Sequence, residues 1–222
     1  MNLEDMKDRR VMTMSEAAGV HNHLLGVAKT TFEQSLKKLK DTPVGVRRRG
    51  PLSRKLIAHL KRSMAPTLIA ESATKRHHMF LHASYDEMDV AHPDQLMISA
   101  FLFDKKKIDI LDHFRMGIVI TRHANERLIQ YFRVRDVDKL DPWLCMAYAA
   151  LIEIVKNNGV IEKDESCAVV IEGRILGHFV IGPHHDHTDE KPLMVVKTWI
   201  GARSYTPHQL NECKAKGWEV VS

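Results

Sequence analysis

The stretch MGIVITRHANERLIQYF, residues 116–132, decides the fold, because within it a strand pattern passes directly into a helix pattern. Residues 116–120 form a short apolar run with β-branched side chains, which is typical of a strand. After Thr121, a suitable helix N-cap, apolar residues recur at helical spacing. These residues are Ala124, Leu128 and Phe132. The stretch therefore predicts a strand that is followed directly by an amphipathic helix.

Two polar residues follow this junction. His123 and Arg127 are four residues apart, so they share one face of the predicted helix. Such pairs are common on helix surfaces, and a surface pair beside Glu126 is the simpler interpretation. Their position directly after an apolar strand favours a functional site. We expect both side chains to be exposed and Leu128 to point into the core.

The N-terminal part of the chain reads as two helices, residues 14–40 and 52–64, with Ser15 as the expected N-cap of the first. The segment between them, DTPVGVRRRGP, contains two prolines and two glycines and breaks the helical pattern. Residues 64–78 are ambiguous. We therefore predict a basic helical region over residues 1–75.

The remainder, residues 76–222, has mainly strand patterns. LMISAFLF, KIDIL and MGIVI predict three strands, and CAVVIEGRILGHFVIG and LMVVKTWIG predict three more, with Glu172–Gly173 as a hairpin turn. Pro142 suits the first turn of a helix that Gly159 ends, and Thr206 with Pro207 predicts a last helix. The predicted class is α+β, with the N-terminal basic helical region followed along the chain by an antiparallel sheet packed with helices.

Composition limits the class of protein. The 222 residues are 44% hydrophobic and 27% charged, as in an ordinary globular protein. No apolar run approaches the roughly 20 residues that span a bilayer, and the charged N-terminus shows no secretory signal. The three cysteines are widely spaced, which argues against a disulfide framework. We expect a cytoplasmic protein with no membrane partner, and a homo-oligomer is compatible with this sequence.

The charge distribution is uneven. The segment from Lys29 to Arg62 contains eleven lysines and arginines but only two acidic residues, Glu33 and Asp41. Its net charge is therefore +9, in a chain of net charge +5. Such asymmetry favours RNA or another nucleic acid as partner, although a solvated lysine-rich surface is the alternative. The residues expected to contact nucleic acid are Lys37, Lys38, Arg47, Arg48, Arg49, Arg54 and Lys55.

The last long strand places polar residues in an apolar run. In VVKTWIG, strict alternation puts Lys197 and Trp199 on one face and Val196, Thr198 and Ile200 on the other. A lysine in such a strand is most often an edge charge that prevents aggregation. We also consider Lys197 and Thr198 as site residues opposite His123.

The order strand, ITRHANERLIQ helix and sheet ending in VVKTWI resembles the metal-independent ribonuclease toxins of the barnase, EndoU, colicin and RelE type. Within that superfamily it is most similar to the branch with an H-A-x-x-R helix followed by a curled sheet. The resemblance covers about residues 116–201. It implies RNA cleavage without a metal or other cofactor, with His123, Arg127, Lys197 and Thr198 at the matching catalytic positions.

The chemistry of these side chains suits RNA cleavage. A histidine can remove the 2′-hydroxyl proton or protonate the leaving 5′-oxygen. Arg127 and Lys197 can stabilise the charge that gathers on the phosphate, and Thr198 can donate a hydrogen bond. A second proton-transfer group is needed, and His178 on a neighbouring predicted strand is the candidate. A histidine satisfied within the sheet is equally compatible with its position.

Residues 182–190, GPHHDHTDE, place several metal-binding side chains in one loop. His184, His185, Asp186, His187 and Asp189 supply imidazole and carboxylate ligands for a transition metal. A polar hairpin loop is the commoner explanation, so no metal and no cofactor is predicted. The leading hypothesis is a ribonuclease-like protein. The alternatives are a non-catalytic nucleic-acid-binding regulator and a metal-dependent phosphodiesterase that uses this loop.

Overall fold

The structure is a computed structural model, which describes residues 10–40, 49–85, 94–106, 109–134, 140–158, 161–184 and 193–221. The predicted α+β class is confirmed, because helices and strands both make up large parts of the described chain. None of the described helices is long and apolar enough to cross a membrane.

The described residues form five α-helices and eight strands. The helices are α1 (Met14–Lys40), α2 (Arg49–Met64), α3 (Arg122–Phe132), α4 (Pro142–Asn158) and α5 (Pro207–Ala215). The strands are β1 (Leu68–Ala73), β2 (His77–Tyr85), β3 (Leu96–Asp104), β4 (Asp109–Ile120), β5 (Glu165–Ile171), β6 (Arg174–His184), β7 (Leu193–Gly201) and β8 (Glu219–Val220). A 3-10 turn, Ala202–Ser204, follows β7.

The chain forms two compact units. The first comprises Met1–His21, Gly117–Arg135 and Pro142–Ser222, and the second comprises Asn22–Met116 and Asp136–Asp141. These bounds differ from the predicted division after residue 75. That division falls in the turn between β1 and β2, which pair with each other antiparallel.

The first unit contains the strand-to-helix junction. Its strands are ordered β4-β7-β6-β5, with the end of β4 parallel to β7 and the other neighbours antiparallel. The short strand β8 also runs parallel to β6. The sheet is therefore mixed, which corrects the expectation of an antiparallel sheet. Parallel pairing of β4 with β7 arises because α3, α4 and the β5–β6 hairpin intervene between them and return the chain in the same direction.

The second unit contains α2, and its strands are ordered β1-β2-β3-β4, with β4 belonging to this unit up to Met116. Helix α2 buries Leu56, Leu60 and Met64 against the sheet residues Phe80, Phe101 and Phe103. The β1–β2 hairpin was not predicted, because the sequence of residues 64–78 shows no clear period. The last three residues of KIDIL and all of MGIVI, predicted as separate strands, belong to the single strand β4, and Lys107 and Ile108 lie outside the described residues.

Local capping signals are present at the starts of three helices. Thr121 caps α3, and Thr206 forms a capping box with Gln209 ahead of Pro207 in α5, as predicted. The expected N-cap Ser15 is wrong, because α1 begins at Met14. Instead the Thr13 and Glu16 backbone amides each donate to the side chain of the other residue, at 2.7 and 3.2 Å. Glu172 and Gly173 both have positive φ values, 50° and 75°, which is the two-residue hairpin turn that the sequence predicts.

Candidate functional site

Thr121 fixes the junction between β4 and α3. Its backbone amide and its hydroxyl both donate to the Val196 carbonyl oxygen of β7, at 3.2 and 3.0 Å. The same hydroxyl accepts a hydrogen bond from the Ala124 amide at 3.2 Å. One side chain thus caps the helix and ties its start to the neighbouring strand, so the position of α3 relative to β7 is set at its first turn.

Helix α3 separates its residues by face. His123 and Arg127 are exposed, and Leu128 is fully buried, as expected. The other buried residues of α3 are Ala124, Asn125, Ile129 and Phe132. Glu126, expected beside the His123–Arg127 pair, binds Arg122 at 2.7 Å.

Asn125 is a buried polar residue between the two exposed site residues. Its amide nitrogen lies 2.9 Å from Nδ1 of His21, and its Oδ1 accepts a hydrogen bond from the Tyr148 hydroxyl. All three side chains are fully buried. Burial raises the pKa of Tyr148, so the phenol keeps the proton that it donates. This hydrogen-bond network ties α3 to α4 and to the start of α1.

A cleft of about 630 Å³ opens beside the exposed face of α3. We call it the arginine cleft, because it contains three arginines and none of the described residues that line it is an aspartate or a glutamate. Its walls come from α3, from the end of β7 with the following turn, and from the segment before α1. The lining residues are Val11, Met12, His123, Arg127, Gln130, Tyr131, Arg133, Thr198, Trp199, Ile200, Gly201, Arg203 and Ser204.

The cleft brings together three of the five predicted catalytic residues. His123, Arg127 and Thr198 line it, whereas Lys197 and His178 do not. His123 and Thr198 line it from different elements, α3 and β7. These elements are neighbours because β4, which pairs with β7, ends at Ile120 just before α3 begins. The part of β7 beyond Val196 therefore extends past its parallel partner, and the start of α3 follows β4 at that point.

Lys197 is turned away by a β-bulge. Val180 pairs with Thr198 and Ile181 pairs with Val196, so Lys197 is an extra residue in β7. Its ammonium group binds the two carboxylate oxygens of Asp164 at 2.7 and 2.8 Å. The expected placement of Lys197 in the site is therefore not observed, since its charge is already paired outside the cleft.

The same bulge overturns the strict alternation expected for β7. Phe179 pairs with Trp199, and Ile181 pairs with Val196. Because Phe179 and Ile181 are two residues apart on β6, Val196 and Trp199 lie on the same face of the sheet. The sequence placed them on opposite faces, since a period of two does not include an inserted residue.

His178 lies in another environment. Its Nδ1 shares a hydrogen bond with the Tyr205 hydroxyl, and burial followed by the nearby Lys216 charge lowers the pKa of the imidazole. It lines a separate cavity of about 240 Å³, formed with residues of α5. His178 is thus not placed to act with His123 in the arginine cleft. The alternative of a histidine satisfied within the sheet fits its position.

Tyr131 and Arg203 are lining residues that the sequence did not indicate. The Arg203 guanidinium lies 5.4 Å from the centre of the Tyr131 ring. Burial raises the pKa of Tyr131 to about 12. A Cβ at Gly201 would overlap the Tyr131 ring, so glycine allows the ring to pack against the end of β7. The only indication in the sequence that Arg203 belongs to the site is its position two residues after β7, the strand that contains Thr198.

Only part of the predicted nucleic-acid surface lies within the described residues. Lys37, Arg54 and Lys55 are exposed. Lys38 and Arg49 belong to α1 and α2, but their side chains are outside the described set. Arg47 and Arg48 lie outside the described residues altogether. The 16 residues of α2 contain no aspartate or glutamate, so α2 is a basic helix.

Most of the loop considered as an alternative metal site lies outside the described residues. His185, Asp186, His187 and Asp189 lie outside the described residues, as does the side chain of His184. Among the side chains that the structure describes, no group of three or more His, Cys, Asp or Glu residues is placed to hold a metal ion.

Comparison with known proteins gives no further assignment. No family model matches the chain, and no match was found among the curated proteins or the solved structures. A functional proposal for this chain therefore depends on the geometry and charge of the cleft.

Proposed function

We propose that this protein binds RNA and cleaves it in the arginine cleft by metal-independent transesterification. The observation that carries the proposal is the combination of one exposed histidine, His123, with three arginines in a cleft whose described lining has no carboxylate. Such a lining attracts a phosphodiester, because arginine donates paired hydrogen bonds to phosphate oxygens. The resemblance to ribonuclease toxins supports the same proposal.

His123 is the proton-transfer residue in this proposal. In the cleavage step the 2′-oxygen bonds to phosphorus, its proton passes to the base, and the bond from phosphorus to the 5′-oxygen breaks. Histidine side chains take up and release protons near neutral pH, which suits the base. The exposed position of His123 at the start of α3 lets a bound strand approach its imidazole.

The arginines supply electrostatic stabilisation. Negative charge increases on the phosphate oxygens as the pentavalent state forms, and fixed cations beside it lower the barrier. Arg127 lies one helical turn after His123 on the same exposed face of α3 and lines the cleft with it. Thr198, which lines the cleft from β7, offers a hydroxyl to the same phosphate.

A second candidate function is non-catalytic RNA binding. It is favoured by the presence of only one histidine among the described lining residues, because transesterification needs two proton transfers. Tyr131 does not fill the second role, since its phenolic oxygen is buried. In the catalytic proposal, water protonates the leaving 5′-oxygen.

RNA binding is common to both candidates and is tested by its dependence on salt. We expect the affinity for single-stranded RNA to fall as salt rises, with a slope of about −0.7 per neutralised phosphate. Replacing Arg54 and Lys55 of α2 by glutamine should make the slope shallower by roughly 1.4 units. Replacing Arg47, Arg48 and Arg49 should act in the same direction.

Lys156→Gln is the matched control, because Lys156 is an exposed lysine of α4 whose partner is Glu153 and which is outside the cleft. It should leave the salt slope unchanged. Binding that is absent or independent of salt would contradict both candidates. Binding without any cleavage product would select the second candidate.

A further inference from the structure

The arginine cleft extends along α3. Arg127 lies in the second turn of the helix, and Arg133 is the residue that follows its last turn. At about 1.5 Å of rise per residue, their backbones are roughly 9 Å apart along the helix axis. The cations are therefore distributed along the cleft, with His123 near one end.

The far end of the cleft holds a preorganised cation. Arg203 stands over the Tyr131 ring, and that ring packs edge-on against Trp199 with 5.7 Å between ring centres. Trp199 is itself buried. The absence of a side chain at Gly201 lets Tyr131 take this position. Arg203 thus rests on a fixed aromatic surface, which reduces the loss of side-chain freedom when it binds an anion.

Arg133 occupies an unusual backbone position at the same end. Its φ and ψ are 54° and 48°, the left-handed conformation in which helices commonly end and which glycine usually occupies. A side chain other than glycine is disfavoured there, and local strain of this kind is concentrated at functional sites. The chain keeps a cation at this position, next to Tyr131 in the cleft wall.

The size of the cleft indicates which form of RNA fits it. A volume of about 630 Å³ is larger than one phosphate group requires, yet it corresponds to a sphere only about 11 Å across. Duplex RNA keeps its bases paired inside an A-form helix, so its bases cannot enter a concave site of this width. An unpaired strand can bend into such a concave site, and proteins commonly bind unpaired RNA by stacking and phosphate contacts.

We infer that the arginine cleft holds one unpaired RNA strand across at least two successive phosphates, with Arg203 on Tyr131 as a second phosphate subsite beyond that of His123 and Arg127. This inference rests on the proposed function in one respect, that RNA enters the cleft. It does not depend on cleavage. Arg133 assists the second subsite from the end of α3.

The test measures binding of 2′-O-methyl oligouridylates, which lack the attacking hydroxyl and stay intact. We compare a dinucleotide with one phosphate and a pentanucleotide with four. The wild-type salt slope should be steeper for the pentanucleotide. Arg203→Gln should weaken pentanucleotide binding about tenfold and dinucleotide binding less than twofold, because only the longer strand reaches the second subsite.

Three further variants sharpen the test. Arg203→Lys keeps the charge and should restore part of the lost affinity, but not all of it, because lysine lacks the planar fork. Arg133→Asn, which tolerates the left-handed conformation, should also weaken only the pentanucleotide. Arg174→Gln is the control, since Arg174 binds Glu219 at 3.0 Å and does not line the cleft.

Equal weakening of both oligonucleotides by Arg203→Gln would overturn the inference, and so would no weakening of either. Binding of a duplex as tightly as the single strand would also overturn it. Cleavage of unmodified RNA is measured in parallel. Length-dependent binding without cleavage would retain the second subsite and remove the ribonuclease proposal. Cleavage whose rate does not change with Arg203→Gln or with strand length would retain the ribonuclease proposal and remove the second subsite.

Discussion

Replacing His123 by alanine is expected to lower the rate of RNA cleavage by about 10²- to 10⁴-fold, the usual contribution of a proton-transfer group. The variant should unfold at nearly the same temperature as the wild type, since His123 is exposed on α3 and such substitutions change stability by no more than about 0.5 kcal/mol. Initial rates on a fluorescent RNA and thermal unfolding curves of both proteins measure the two effects.

His208→Ala is the matched control. His208 is an exposed histidine of α5 that lies outside the arginine cleft, with Nδ1 at 3.8 Å from a carboxylate oxygen of Glu212. Its loss should change neither the rate nor the unfolding temperature. A His123→Ala protein that cleaves RNA at the wild-type rate would exclude His123 from catalysis, and one that fails to fold would make the junction a structural feature.

Replacing Asn125 by alanine is expected to reduce the free energy of unfolding by about 2–5 kcal/mol. The substitution removes the partner that the Tyr148 hydroxyl and Nδ1 of His21 share, and it leaves these polar atoms without that bond in the core. An unsatisfied buried polar group costs about 1–3 kcal/mol. Urea unfolding of the variant and the wild type measures the difference.

Asn157→Ala provides the comparison, because Asn157 is an exposed asparagine of α4 and its replacement should change stability by less than about 0.5 kcal/mol. A double-mutant cycle with Tyr148→Phe isolates the Asn125–Tyr148 hydrogen bond. If Asn125→Ala costs less than about 1 kcal/mol, the buried network does not hold α3 in place.

The local structure of the junction could be predicted from sequence because its signals are local. Thr121 is a capping residue directly after an apolar run, and the spacing of Ala124, Leu128 and Phe132 sets the buried face of the helix. The exposure of His123 and Arg127 follows from that face. The start of α4 at Pro142 and the Thr206 cap of α5 were predictable for the same reason.

The placement of Lys197 could not be predicted, because it depends on a non-local feature. The β-bulge in β7 is defined by the register of its pairing with β6, and one inserted residue changes which side chains share a face. The partner of Lys197, Asp164, is 33 residues away in the sequence. No periodicity within VVKTWIG carries that information.

The other half of the cleft was missed for a related reason. Tyr131 looks like a further helix residue, and Arg203 looks like a single surface charge. They form one wall only because β7 and α3 lie side by side and Gly201 allows close approach. The β1–β2 hairpin was also missed, because it contains histidines and a bulge rather than a clean alternation.

The central claim, that the arginine cleft cleaves RNA without a metal, is tested most directly by the ends of the products. Purified protein is incubated with single-stranded RNA in excess EDTA, and the fragments are analysed by mass spectrometry. The account predicts fragments that end in a 2′,3′-cyclic phosphate, formed by the wild type and lost with His123→Ala. Intact RNA in EDTA, or fragments with other ends that His123→Ala also produces, would contradict it.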